Sequence, residues 1–374
     1  MLPGKGCWVA ERLALYDLTY AELEDLLSGW GEPRFRADQL WRWLYRSLVD
    51  DFAAMGNLPG SLRERLAAGA DLQLLAPVAA QESASAETRK VLFRLRDGNA
   101  IESVLMTYDE RRTACISTQV GCGMGCLFCA TGQGGLARNL SAGEILAQVI
   151  HFARQLLDSE IERATLRGVR VDTQAHPVTN IVLMGMGEPL ANYAATWQAI
   201  ETLTDTRGYN LGARRITLST VGLVPGIRRL ASEGLPINLA VSLHAPDDEL
   251  RNRLVPVNQR YPLAELMAAV REYAQETKRR VTFEYALIDG VNDTLQHARQ
   301  LASLLHGLLC HVNLIPLNPT PGTPLQPSPA AQVRAFRDLL VDAGIPTTVR
   351  LGRGISIDAG CGQLRQRQDR IAEP

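Results

Sequence analysis

Gly121-Cys-Gly-Met-Gly-Cys-Leu-Phe-Cys-Ala130 sets three cysteines, Cys122, Cys126 and Cys129, in a C-x3-C-x2-C spacing. Thiolate sulfur suits iron–sulfur clusters and zinc, and closed sites of either kind normally take four ligands, so the triplet is one ligand short. A cubane held this way keeps one iron open to another partner. A structural zinc completed by a distant fourth ligand is the competing reading, but zinc ribbons usually carry a second paired motif and none is present. Phe128 is placed either to shield a cluster from solvent or simply to pack in a core.

Working outward, short β-rich runs alternate with amphipathic helices from about Thr113 onward. The runs are Ala114 to Val120, Asn180 to Met184, Arg215 to Ser219, Ile237 to Leu243, Val281 to Leu287 and Val312 to Leu317. Helical patterns lie near Ser141 to Leu157, Tyr193 to Thr204, Gly226 to Glu233, Leu263 to Glu276 and Thr294 to His306, and another follows near Pro329 to Ala343. Six such units predict a parallel sheet with right-handed crossovers, as a partial barrel or an open doubly wound sheet. Upstream, helical patterning around Tyr20 to Leu27, Ala37 to Leu48 and Pro59 to Ala68 precedes a strand pair near Val91 to Leu95 and Ala100 to Met106. Arg34, Arg36, Arg42, Arg46, Arg63 and Arg65 are interleaved there with Phe35, Trp41, Trp43 and Tyr45, a mixture suited to RNA. Leu40, Trp43 and Leu44 fall on one helical face, which predicts that about half of these aromatics are core. Residues 163–176 read as a polar surface loop, and Pro316 to Pro329 as an extended one.

Blocks spread along the chain resemble the radical S-adenosylmethionine (radical-SAM) adenine methyltransferases of RNA, the RlmN/Cfr family. Besides the triplet they are Phe35-Arg-Ala-Asp-Gln-Leu-Trp-Arg-Trp-Leu44, Thr88-Arg-Lys90, Ile101-Glu-Ser-Val-Leu-Met106, Ser117-Thr-Gln-Val-Gly-Cys122, Gly185-Met-Gly-Glu-Pro189, Val241-Ser-Leu-His-Ala245 and Asp358-Ala-Gly-Cys-Gly-Gln-Leu364. The resemblance implies an α/β fold: a partial (β/α)6 radical-SAM barrel with a small N-terminal helical accessory domain. The boundaries expected are 1–100 for the accessory domain plus hairpin, with RNA contact; 101–345 for the barrel; and 346–374 for a C-terminal segment carrying a methyl-carrier cysteine.

The same resemblance implies a [4Fe-4S] cluster on Cys122, Cys126 and Cys129, with S-adenosyl-L-methionine on the open iron. Gly187, Glu188, Ser219, Ser242, Leu243, His244 and Asn318 would contact S-adenosylmethionine, Glu188 accepting from its ammonium group. These positions fall at strand ends, where barrel enzymes gather their catalytic groups. Taken singly, Ser219 could cap a strand, His244 could be a satisfied core histidine and Asn318 a turn residue before Pro319.

Carbon 2 of adenine is an electron-poor amidine carbon that will not attack a methylsulfonium directly, so a radical route is required. In the family one S-adenosylmethionine methylates a cysteine, which Cys361 matches, and a second yields the 5′-deoxyadenosyl radical that activates that methyl group. Cys115, seven residues before the first cluster ligand, matches the cysteine that releases the product as a disulfide forms; exchange requires the two Cα atoms to come within about 7 Å. Glu102 matches the general base. Cys7 and Cys310 match no functional position, and Cys310 beside Leu308 and Leu309 reads as core.

The substrate so implied is 23S rRNA, with transfer RNA as a second, and the partners are an electron donor such as flavodoxin and a thiol reductant. Methylation at carbon 8 of adenine, and a non-catalytic iron–sulfur RNA-binding module, are the alternatives. The stretch from Arg350 to Asp358 and the glycine at 360, where the family often has alanine, depart from the family's pattern at the substrate end. Composition fits a cytoplasmic protein without a membrane anchor: 374 residues, 46% hydrophobic, with seven cysteines in a pattern suited to a reducing compartment. A net charge of −1 gives no global pull on nucleic acid, so RNA would be held by local patches and shape.

Overall fold

The computed structural model describes residues 12–167, 177–320, 323–350, 354 and 357–364. Cys7, residues 168–176 and most of the stretch from 351 to 356 lie outside them.

The chain opens with β1 (Leu13–Ala14), α1 (Tyr20–Gly29), α2 (Phe35–Tyr45), α3 (Gly60–Gly69) and β2 (Ala70–Asp71), and β1 pairs in parallel with β2 to tie the unit's ends together. A capping box of Thr19 and Glu22 starts α1. The buried face of α2 is Ala37, Leu40, Trp41, Leu44 and Tyr45. Trp43, expected on that face, is half-buried at its flank and donates its indole N–H to Asn57 at 2.5 Å. Most of the arginines read as RNA contacts have partners inside the protein: Arg34 pairs with Glu24, Arg36 with Glu32, Arg63 donates to the Ala53 carbonyl, and Arg65 lies over the Trp30 ring. Arg46 reaches the barrel, donating to the carbonyls of Thr206 and Gly208.

Beyond this unit come β3 (Leu75–Glu82), β4 (Thr88–Leu95), β5 (Ala100–Thr107), β6 (Arg112–Cys115), β7 (Gln119–Gly121), α4 (Ala130–Gln133), β8 (Leu136–Asn139), α5 (Ala142–Arg167), β9 (Asn180–Leu183) and α6 (Tyr193–Thr204). They are followed by β10 (Ile216–Thr220), α7 (Val224–Ala231), β11 (Asn238–Ser242), α8 (Asp248–Leu254), α9 (Leu263–Thr277), β12 (Val281–Leu287), α10 (Leu295–Leu305), β13 (Cys310–Pro316), α11 (Ala330–Asp342) and β14 (Thr347–Val349). A single sheet runs in the order β14-β13-β12-β11-β10-β9-β6-β5-β4-β3. From β6 to β14 it is parallel, with crossover helices between strands; from β6 to β3 it is antiparallel. This is the expected radical-SAM partial barrel, with β14 added to the six strands read from the sequence.

Four local expectations change. The run from Ala114 to Val120 is two strands, because both the N–H and the C=O of Ser117 bind the buried Gln148 amide (2.8 and 2.9 Å) instead of a neighbouring strand. β7 then pairs with β8 away from the main sheet. The hairpin β4–β5, read as closing the N-terminal unit, is hydrogen-bonded into the barrel's sheet through β6. Its outer neighbour β3 escaped notice because Leu-Ala-Pro-Val-Ala-Ala-Gln-Glu lacks apolar alternation and is almost wholly exposed. Finally, α5 runs to Arg167, five residues into the stretch read as a loop, where Arg163, Ala164, Leu166 and Arg167 are good helix formers.

One hydrophobic core spans both units, from Leu15 and Trp41 to Phe283 and Phe336, and includes the buried Cys310. Among the described residues no helix is long and apolar enough to cross a membrane.

Candidate active site

The cysteine loop leaves β7 and is held from three sides. The Cys122 N–H donates to the Gly135 carbonyl (2.7 Å), Leu127 N–H to Leu254 (3.0 Å) and Ala130 N–H to Gly362 (2.8 Å). Cys122 and Cys126 are buried and Cys129 is partly so. Burial pushes the Cys122 thiol up to about 12 and raises the other two: at Cys126 the neighbouring cluster thiols add to it, and at Cys129 hydrogen bonds with Gly132 and Thr131 oppose it. Without metal these sulfurs keep their protons; a bound cationic iron core would favour the thiolates and release them. Three clustered sulfurs on one loop fit the expected cluster.

A cavity beside this loop is lined by Cys126, Phe128, Cys129, Gly187, Glu188, Ser219, Ser242, His244, Asn318 and Cys361. Nine of the thirteen site residues expected from the sequence therefore meet at one place: all of these except Phe128. Leu243 is fully buried in the core, and Cys122 is buried outside this lining.

Glu188 is the best-defined group. Its carboxylate accepts from the N–H groups of Leu190 (3.0 Å) and Val221 (2.8 Å), and its own N–H donates to Gln119 Oε1 (2.8 Å). Gly187 makes this approach possible: its φ is +105° and a Cβ there would sit 2.6 Å from Gln119 Cβ. Burial raises the Glu188 carboxyl to about 7 despite these donors. A carboxyl whose folded value lies above its unfolded one binds more protons when folded, so ionising it costs stability progressively from about pH 4.5 to pH 7. Compared with Glu188→Gln, the ligand-free wild type is therefore expected to lose up to about 3 kcal/mol across that window. Parallel denaturant melts at pH 4.5 and pH 8 measure this; equal pH dependence in the two proteins removes the buried charge.

His244 adopts a left-handed backbone (φ 59°) and its Nδ1 accepts from the Ala286 N–H at 2.9 Å. Burial, then the charge of Arg251, push the ring down to about 3, so it is neutral with its hydrogen on Nε2. Phe128 meets it edge-on, with ring centroids 4.6 Å apart.

A second cavity, of about 480 Å³, opens next to the first and is lined by Val104, Met106, Tyr108, Cys115, Met184, Asn318, Arg350 and Cys361, among others. The two isolated thiols thus face one space. Cys361 is held by its carbonyl, which accepts from Asn318 Nδ2 at 3.1 Å, while Gln363 ties Gly360 N–H (2.9 Å) to the Pro319 carbonyl (3.0 Å). A Cβ at Gly360 would lie 2.7 Å from Asn318 Nδ2, so alanine there would displace that amide. Burial pushes the Cys115 thiol up to about 12, with Arg350 pulling the other way.

Glu102 lies on β5, on the same face as Val104 and Met106 but outside both cavity linings. It is buried, not solvated, and meets Lys90 Nζ at 3.2 Å; Lys90 also donates to the Asp358 carbonyl at 3.2 Å. Sequence reading missed the pairing of Lys90 with Glu102, missed the buried Arg251, and missed Glu284, which accepts from Asn313 Nδ2 at 2.8 Å and lines the first cavity. The signal for Glu284 was there: a lone charge in the otherwise neutral strand Val-Thr-Phe-Glu-Tyr-Ala-Leu.

Comparison with known proteins agrees with this geometry. The family described as "Ribosomal RNA large subunit methyltransferase N-terminal domain" matches residues 13–72, and the "Radical SAM superfamily" matches 116–302. A probable dual-specificity RNA methyltransferase RlmN of Roseiflexus sp. (strain RS-1) is 52% identical, covering 94% of this chain and 95% of the relative. The chain belongs to the RlmN family of radical-SAM methyltransferases. The corresponding protein of Chloroflexus aurantiacus is 53% identical over 96% of this chain and 94% of its own length. A crystal structure of a radical SAM methyltransferase from Sphaerobacter thermophilus superposes with a TM-score of 0.87 at 54% identity, covering 94% of this chain and 99% of that one. Membership of the RlmN family implies the cluster and S-adenosylmethionine as cofactors.

Proposed function

We propose that the protein methylates carbon 2 of an adenine in 23S rRNA, and in transfer RNA as a second substrate. What carries this reading is the meeting of Cys115 and Cys361 in one cavity that adjoins the cavity of Glu188 and the cluster cysteines. A plain cluster-bearing RNA-binding module has no use for two free thiols placed there.

Cys122, Cys126 and Cys129 would hold the cluster, which with S-adenosylmethionine bound would supply one-electron reductive cleavage and so a hydrogen-abstracting radical. The protein's residues do the rest. Glu188 accepts from the cofactor's ammonium, the charged form of the carboxylate being the one that binds, and the His244 Nε2–H, Ser219, Ser242 and Asn318 line the remainder of its pocket. Cys361 sulfur carries the methyl carbon to the base; once the new C–C bond has formed, Glu102 takes the proton from the ring carbon, and the adduct's unpaired electron would return to the oxidised cluster. The Cys115 thiolate then attacks Cys361 sulfur, the sulfur–carbon bond breaks with its electron pair on carbon, that carbon takes a proton to become the methyl group, methyladenine leaves and a Cys115–Cys361 disulfide remains. Two electrons from a thiol reductant restore the pair, and a flavodoxin-type donor serves the cluster.

The deciding experiment is mass spectrometry of nucleosides from 23S rRNA and transfer RNA of a strain lacking the gene, before and after complementation. We expect 2-methyladenosine to return with the gene. Return of 8-methyladenosine, or no change in any methyladenosine, overturns the reading.

A further inference from the structure

Arg251, on α8, is among the largest side chains with no solvent exposure at all. Its guanidinium donates to the carbonyls of Leu243 (Nε, 3.0 Å), Val221 (Nη2, 2.6 Å) and Ser242 (Nη2, 3.2 Å), and to Asn258 Oδ1 (Nη1, 2.8 Å). All four acceptors are neutral. Asp248, whose charge also acts on the guanidinium, accepts from Asn258 Nδ2 at 2.8 Å, and no hydrogen bond joins it to Arg251 among the described residues. Burying a cation without an adjacent anion is costly, and a leucine or methionine would fill the space without that cost. The charge therefore calls for a partner in the neighbouring space.

That space is the cysteine loop. The Leu127 N–H donates to the Leu254 carbonyl one turn along from Arg251, and Cys126 shares an apolar cluster with Leu250, Leu254 and Val255. The field of Arg251 is felt at Cys126 and at His244. Three thiolates outweigh the positive charge of an oxidised four-iron core, so the loaded site is anionic, and each electron it accepts makes it more so.

We propose that Arg251 is a positioning residue with two linked tasks: it braces the Val221 and Ser242–Leu243 loops that form the floor of the cofactor pocket, and it is the fixed counter-charge that makes the cluster easier to reduce. This rests on the cysteine triplet holding a cluster. Loss of the charge raises the cost of adding one electron, whereas loss of a brace alone does not.

The test uses the full chain reconstituted anaerobically with iron and sulfide, its iron content assayed, and the reduced cluster counted by electron paramagnetic resonance during titration with dithionite. At a fixed potential, Arg251→Gln should show a roughly tenfold lower ratio of reduced to oxidised cluster, which is 59 mV for a one-electron couple. Arg251→Lys, which keeps the charge, should stay within about twofold of wild type. Asp248→Asn keeps the acceptor oxygen used by Asn258 and the Leu263 N–H and should shift the ratio the opposite way. An unchanged ratio in Arg251→Gln at normal iron content overturns the proposal. If that variant holds no iron, an unmoved ratio in Asp248→Asn overturns it instead. A wild-type chain that takes up no four-iron cluster sinks the reading beneath it.

Discussion

Cys115→Ala protein purified from expressing cells is expected to carry RNA bonded covalently through Cys361. The two thiols share a cavity, yet they fail at different steps. In the proposed mechanism Cys361 sulfur receives the methyl carbon, and that carbon bonds to the base; Cys115 only breaks the sulfur–carbon bond afterwards. Without Cys115 the adduct has no displacing thiolate and persists, so nuclease digestion followed by peptide mass spectrometry should show an adenine-bearing Cys361 peptide. Cys361→Ala should give neither adduct nor methyladenine. Multiple turnover falls to background in both, but only one leaves a trapped species. Normal product formation by Cys115→Ala, with no adduct, would falsify the assigned pair.

The second large effect concerns Lys90, which lies on the interior of β4 and connects the proposed base to the carrier segment. Its Nζ meets Glu102 and the Asp358 carbonyl at 3.2 Å each, and both side chains of the ion pair are almost fully buried. Breaking a buried pair by deleting one partner costs about 3 kcal/mol or more, because the remaining charge stays desolvated. Lys90→Met is therefore expected to lower the unfolding free energy by about that amount and to reduce methylation beyond what the loss of folded protein explains. A double-mutant cycle with Glu102→Gln separates the two: if Lys90 acts through Glu102, Lys90→Met costs far less in the Glu102→Gln background. Additive costs would show that the pair is not coupled.

Much of this was legible because it is local. Strand–helix alternation located nearly every barrel element, since amphipathic helices and parallel strands impose different periods on the chain. The strand-end positions of Glu188, Ser219, Ser242 and His244 followed from that alternation together with family blocks. What stayed hidden depends on pairs far apart in the chain. Lys90 and Glu102 look like two ordinary surface charges until β4 and β5 pair them in register, Lys90 opposite Val104 and Leu92 opposite Glu102. Arg251 sits in Asp-Glu-Leu-Arg-Asn-Arg-Leu among charges that do face solvent, and its burial comes from loops that meet it only in the folded barrel. Gln148, in the second turn of α5, breaks a strand 31 residues upstream by offering a side-chain amide in place of a backbone partner.

The carrier segment closes over the cysteine loop: Thr131 hydroxyl donates to the Leu364 carbonyl across 233 positions of sequence, beside the Ala130–Gly362 bond. On the ribosome that separation becomes time. At about 5–20 residues per second, the triplet is made roughly ten to fifty seconds before the segment that will cover it. Once the triplet clears the tunnel, the rest of that interval leaves it open to iron and sulfide, and a chain halted then carries all three cysteines of the loop but lacks Cys361, the proposed methyl carrier.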